Sequence, residues 1–331
     1  MDTLDKLPRS LIPGTELRPS VICLGTAQIG SGISRDDSFR VLDAFVERGG
    51  TFLDSAHIYA DWLGGEKALS EKTIGAWMRS RGNRGDLVVA TKGGHPELKS
   101  MRLRLAPEEI STDLSESLDC LGVERIDLYW LHRDDPSRPV AEILGVLEEK
   151  RRSGLILSYG FSNWTAPRLE EAVGQAAAMG VRGCVAVQNM WSLAAPVAEA
   201  MADRTIVCTG EAELAFHRRT GLAAVPFSSQ AGGVFTKMER GIEPRPVYRS
   251  EENRRRFQRA LEVAARHGRS VNDVALAYLL CRDFPVFPIV GCRTPEQLGA
   301  SLQAATLRLH ADEIAYLETG LSRAGAPGPQ G

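Results

Sequence analysis

Apolar residues along this chain recur in two alternating rhythms. Short, near-continuous apolar or β-branched runs occur at 21–24, 51–54, 86–91, 126–131, 155–160, 184–188, 223–227 and 286–290, and read as buried strands. The segments between them carry apolar residues at helical spacing. They predict helices near 35–48, 66–80, 107–120, 139–152, 166–179, 211–219, 251–267, 271–282 and 295–304. Ser34 is placed to cap the first of these and Gly49-Gly50 to stop it. Eight strand-then-helix units with apolar strands predict an α/β fold, a (β/α)8 TIM barrel forming one domain over 1–323. Pro13-Gly14-Thr15 is a turn signature between two extended pieces, so 9–19 predicts a hairpin ahead of the barrel. The Pro- and Gly-rich insert 232–250 is expected to be a mobile flap on the functional face, and 324–331 a disordered tail.

Composition narrows the class. The 331 residues are 43% hydrophobic and 25% charged with a net charge of −2, so nothing marks a nucleic-acid or anionic-membrane partner. No stretch approaches the ~20 apolar residues of a membrane span, and the polar start of the chain lacks the apolar core of a signal peptide, which predicts a cytoplasmic protein. Six scattered cysteines without a C-x-x-C pair indicate neither a zinc site nor a disulfide framework.

In a parallel barrel the strands' C-terminal ends form the functional face, so ionisable residues there are the first to consider. Asp54 ends the second strand, with Tyr59 one loop turn later; Lys92 ends the third and His132 the fourth. Each alone could be a turn, cap or loop residue. Four of them on three successive strand ends point to one site at the mouth. The exit loop Gly25-Thr26-Ala27-Gln28 has small residues that let a ligand approach the backbone. No G-x-G-x-x-G follows a strand, so the doubly wound dinucleotide fingerprint is absent. The loops after strands seven and eight still suit phosphates. Phe227 to Gly233, with Ser228, Gln230 and Gly232, carries open amides and hydroxyls, and Gly291 to Gln297, with Arg293, leads into a helix N-terminus.

Leu24-Gly25-Thr26, Phe52-Leu53-Asp54-Ser55-Ala56 with Tyr59, Ala90-Thr91-Lys92, Asp127-Leu128-Tyr129 with Leu131-His132, Gly160-Phe161-Ser162-Asn163 and Gln188-Asn189 together resemble the aldo-keto reductase superfamily. The match runs in order over about 9–303. The resemblance implies that the hairpin plugs the barrel floor, and that Ser162, Asn163 and Gln188 hydrogen-bond a nicotinamide carboxamide. It also implies that Phe227 stacks on the nicotinamide ring and that Arg293, Gln297 and Ser301 lie by the adenosine end. The chain departs from the family pattern at three of these positions. Phe227 replaces the usual Tyr or Trp, Ser301 a frequent Asn, and Gln297 stands where some members carry an arginine for a 2′-phosphate. Arg293 could supply that charge, so NADPH is expected rather than NADH.

Reducing a carbonyl needs a hydride on carbon and a proton on oxygen. Tyr59 is the candidate acid, Lys92 the cation that lowers its pKa, Asp54 the anchor of Lys92, and His132 a neutral donor to the carbonyl oxygen, with no metal required. Trp62, Trp164 and Trp191 fall in loops after strands two, five and six. Trp62 and Trp191 are candidates to line a pocket for a small-molecule carbonyl compound, sugar-like or alicyclic. The alternative is a cofactor-binding regulatory subunit of the channel type with little turnover. A barrel lyase or isomerase using Lys92 as a Schiff-base amine is a third reading.

Overall fold

The structure, a computed structural model, describes residues 6–321. Its strands are β1 (Cys23–Gly25), β2 (Phe52–Asp54), β3 (Val88–Gly93), β4 (Ile126–Leu131), β5 (Ile156–Ser162), β6 (Ala186–Gln188), β7 (Ala223–Ala224) and β8 (Ile289–Val290). They pair in parallel in the order β7-β6-β5-β4-β3-β2-β1-β8. The ring closes between β7 and the approach to β8, where the Ala224 amide donates to Pro285 O (2.9 Å) and the Phe287 amide to Ala224 O (2.8 Å). This is the expected (β/α)8 barrel. Strands β7 and β8 are shorter than their apolar runs because Pro226, Pro285 and Pro288 have no N–H to give to a ladder.

The helices are α1 (Arg35–Glu47), α2 (Leu69–Arg81), α3 (Pro107–Leu121), α4 (Val140–Arg152), α5 (Ala166–Ala178), α6 (Glu211–Thr220), α7 (Val234–Glu239), α8 (Glu251–His267), α9 (Val271–Leu280), α10 (Pro295–Leu302) and α11 (Ala311–Thr319). Local chemistry sets their starts. The side chains of Ser34, Ser250, Ser270 and Thr294 accept the amides of Asp37, Asn253, Asp273 and Gln297. Helix α2 begins later than its periodicity suggests, because Ala68 is left-handed (φ 53°) and 61–63 form a separate 3₁₀ turn.

Inward-facing Phe52, Trp130, Phe287 and Ile289 fill the barrel, with Phe52 edge-on to Phe287 at 6.0 Å. Gly160 is required here, since a Cβ would lie 2.4 Å from the Trp130 ring and 2.5 Å from Ala186 O. Ile12, at the turn of the 9–19 hairpin, is buried in the same cluster at the strands' N-terminal ends. Ser20 ties the hairpin there by accepting the Thr51 and Phe52 amides. The floor is therefore closed and the C-terminal ends are left as the mouth.

One expectation is corrected and one element is added. The 232–250 insert is not built as a free flap: it forms α7, buries Val234, Phe235 and Tyr248, and its Val247 O accepts the Val197 amide (2.8 Å). Helix α11, which the periodicity did not single out, packs beside α8 through His267–Glu313 (2.8 Å). The expected tail at 324–331 lies outside the described residues. Among the described residues no helix is long and apolar enough to cross a membrane.

Candidate active site

Parallel register sets the first residues of the site side by side. Asp54 ends β2 opposite Ala90, and Lys92 lies on β3 opposite Trp130 of β4, two residues before His132. Lys92 is 1% exposed, and its Nζ donates to Asp54 Oδ2 (2.5 Å), Ser55 O (2.6 Å) and Tyr59 OH (3.1 Å). A buried ammonium is costly unless paired, and here all three of its N–H donors are satisfied. Burial works to lower its pKa, but the charge of Asp54 and the phenol of Tyr59 overcome this and leave it raised. Gln188 Nε2 donates to the other oxygen, Asp54 Oδ1 (3.0 Å), so the carboxylate is held at both ends. Behind the ion pair, Ser70 of α2 bonds Thr26 Oγ1 (2.9 Å), Thr26 O (2.9 Å) and Ser55 Oγ (3.0 Å), which locks the ends of β1 and β2 together.

Burial pushes the Tyr59 phenol above its ordinary value, and the Lys92 ammonium pulls it back only in part. The net depression expected from Lys92 is thus corrected: desolvation outweighs the cation. The ring keeps some surface at the mouth, where solvent tempers that effect.

Four rings, the phenol's among them, form a chain of edge-on contacts. Tyr59 is edge-on to Trp62 at 6.0 Å and to His132 at 6.2 Å, and His132 is edge-on to His95 at 4.8 Å. Burial pushes the His132 imidazole well below its usual pKa, helped by Arg133, His95 and Lys92, so the ring is neutral. Its Nδ1 is buried without a partner among the described residues. An orphaned acceptor is tolerated better than an orphaned N–H, which assigns the proton to Nε2, where it can be donated. Trp62 is 50% exposed.

Ser162, Asn163 and Gln188 come together beside this group. Ser162 Oγ donates to Gln188 O (2.8 Å), and Asn163, left-handed at φ 59°, donates from Nδ2 to His132 O (3.0 Å) and Ser162 Oγ (3.0 Å). The half-buried Phe227 packs on top of the barrel core. After it, Ser228, Ala231, Gly232 and Gly233 are left-handed, and the Ala231 and Gly233 amides close tight turns onto Ser228 O (2.7 Å) and Gln230 O (2.8 Å). Ser301 Oγ accepts from Gln230 Nε2 (3.0 Å), and Arg293, exposed with Gly291 and Gln297, donates from Nη2 to Gln28 Oε1 (3.1 Å).

Two expected contacts are turned away from the mouth. Thr26 is fully buried and its hydroxyl donates to Asp54 O (3.0 Å), so it serves the strand ends. Trp191 is buried against Tyr278, Phe284 and the Arg282 guanidinium, in the core under α9. Trp164 likewise stacks on Phe161 at 3.9 Å. Sequence reasoning missed two residues. His95 depends on the path of a loop. Arg245 reaches back across the insert until its Nη2 lies 2.7 Å from where a Cβ of Gly232 would stand.

The family model described as "Aldo/keto reductase family" matches residues 21–320. The chain is similar to the norsolorinic acid reductase stcV of Emericella nidulans, at 30% identity over 94% of this chain and 80% of that one. It is similar to an NADP(+) aryl-alcohol dehydrogenase of Phanerodontia chrysosporium, at 28% over 93% and 84%. It is also similar to the uncharacterized oxidoreductase YrpG of Bacillus subtilis, at 30% over 92% of each. Among solved structures, a thermostable aldo-keto reductase, Tm1743, determined with the inhibitor epalrestat, superposes with a TM-score of 0.71. It covers 95% of this chain and 99% of that one at 23% identity, a likeness of fold.

Proposed function

The chain belongs to the aldo/keto reductase family, and on that premise we propose that it reduces an aryl or alicyclic aldehyde or ketone with NADPH, Tyr59 supplying the proton. The observation that carries this reading is the buried Lys92 ammonium bonded at once to Asp54 and to the Tyr59 hydroxyl.

The donor set suits a nicotinamide dinucleotide. The 228–233 loop, left-handed at Ser228 and again over 231–233, would offer a pyrophosphate the amides that its own turns leave free, and Arg245 beside Gly232 adds a cation that an anion would need. Phe227 offers a ring face to the nicotinamide, with Ser162, Asn163 and Gln188 for its carboxamide. Arg293, Gln297 and Ser301 suit the adenosine end, and the NADP(+) in the name of one relative agrees with a role for Arg293 at the 2′-phosphate. When bound, the cofactor supplies the hydride.

The chain's own residues then handle the oxygen. His132 donates its Nε2 hydrogen to the carbonyl and fixes its direction. Tyr59, kept protonated by burial, gives up its proton as charge develops on that oxygen, and the Lys92 ammonium stabilises the phenolate left behind. Asp54, clamped by Gln188, and Ser55 O hold the ammonium in place. The barrel acts as one domain, with both sites at its mouth. A panel of aryl and alicyclic carbonyl compounds, followed by nicotinamide absorbance, tests the reading. Absence of cofactor oxidation with every class would refute it.

Arg293→Ala is expected to weaken NADPH by about tenfold or more, the worth of a charge-assisted hydrogen bond, and to leave NADH nearly unchanged. Titrating both cofactors against tryptophan fluorescence measures the difference, and equal losses would remove Arg293 from the 2′-phosphate. Trp62→Ala is expected to raise KM several-fold for a ring-bearing substrate without altering cofactor affinity, since its ring is half exposed beside Tyr59. An unchanged KM returns Trp62 to packing.

A further inference from the structure

His95 stands three residues after Lys92, with its ring edge-on to that of His132 at 4.8 Å, so a group bound near the carbonyl meets both imidazoles. Its Nδ1 lies 2.7 Å from Pro96 O. A carbonyl oxygen can only accept, so Nδ1 carries the hydrogen and, in the neutral ring, Nε2 is a bare acceptor. Nε2 has no partner among the described residues, yet it is not among the buried unpaired atoms, so it keeps some accessible surface beside the His132 ring. His132 Nδ1, by contrast, is sealed. The two histidines therefore offer opposite chemistry side by side: His132 an N–H donor, His95 a lone pair.

The loop that carries His95 is built to hold it. The Gly94 amide donates to Asp113 Oδ2 (2.8 Å), and Arg104 clamps the same buried carboxylate through Nη2 (2.7 Å) and Nη1 (3.1 Å) while Nη1 reaches His95 O (3.4 Å). The ring also stays neutral. Burial pushes its pKa down, Arg133 and Arg104 add to this, and neither the Pro96 bond nor Asp203 reverses it. His132 is the titratable group facing it directly, and two imidazolium ions at this spacing would repel.

We propose that His95 is a specificity-determining residue whose Nε2 accepts a hydrogen bond from a hydroxyl on the substrate close to the reacting carbonyl, so that the site favours hydroxyaryl aldehydes and ketones over their unsubstituted counterparts. The proposal rests on the reductase reading for its substrate class. A site that hydrogen-bonds a substrate hydroxyl discriminates sharply against the analogue lacking it, because its own polar group is then left unpaired.

Benzaldehyde and its three hydroxy isomers supply the test. In the unaltered protein at least one isomer should exceed benzaldehyde in kcat/KM by about tenfold, the worth of a good hydrogen bond. His95→Phe keeps a ring against His132 and removes the acceptor, and should bring that ratio close to one. His95→Gln, whose amide oxygen can accept, should restore part of it. Calorimetric affinities of the same aldehydes with NADP+ present make the comparison without turnover. A protein that binds with this preference but never turns over counts against the reductase reading alone. Equal values for all four aldehydes in the unaltered protein, or a preference that survives in His95→Phe, overturn the assignment.

Discussion

Tyr59→Phe is expected to leave a folded protein that still binds NADPH and has lost carbonyl reduction by roughly 10²–10⁴-fold, the usual worth of a positioned general acid. The substitution keeps the ring that meets Trp62 and His132 edge-on and deletes only the oxygen that receives a hydrogen bond from Lys92. The pH profile of the unaltered protein gives a second reading of the same group. Burial raises the phenol's pKa, so the proton-bearing form persists below that value and is lost as pH rises through it. Reduction should hold level through neutrality and decline only above about 10, the ordinary phenol value. In Tyr59→Phe the alkaline decline should vanish along with most of the rate. A variant that reduces carbonyl compounds at the original rate would remove Tyr59 from the chemistry and leave Lys92–Asp54 as a structural ion pair.

What could be read before the fold was known follows from which residues backbone geometry alone controls. Asp54, Lys92 and His132 lie at or just past strand ends, and once the apolar runs are taken as parallel strands, register brings those residues together without knowledge of any loop. Loop residues are different. Trp62 and Trp191 look alike as aromatic residues beyond strand ends, yet the first stands half exposed beside Tyr59 and the second turns into a core with Tyr278 and Phe284. The direction depends on how the following segment folds, which periodicity does not encode. Arg245 and His95 escaped for the same reason. Each acquires its place from a backbone path, one returning across the 232–250 insert and one clamped by Asp113 and Arg104. The sign of the Tyr59 shift is not legible in a sequence, which indicates the neighbouring cation but not the depth of burial, and here burial is the larger effect.

Lys92→Met should show two losses of different origin that can be separated. Methionine fills the channel of the lysine stem but removes the ammonium, leaving Asp54 as a buried carboxylate with Gln188 as its one side-chain donor among the described residues. Breaking a buried pair on one side costs about 3–5 kcal/mol, so the melting temperature should fall clearly. Asp54→Asn in the same chain removes the stranded charge, and the double variant should recover most of that stability while remaining inactive. Recovery of both together would mean that the rate was lost only through misfolding. The catalytic loss has its own signature. Without the ammonium nothing stabilises the phenolate that forms when Tyr59 gives up its proton, so reduction should fall by a factor comparable to that of Tyr59→Phe. Because Lys92 would act through Tyr59, Tyr59→Phe/Lys92→Met should be little slower than either single variant, as expected of groups that work as one unit. Losses that multiply would mean that the ammonium meets the carbonyl directly. That outcome would transfer to Lys92 part of the role assigned to His132, the other donor at the mouth.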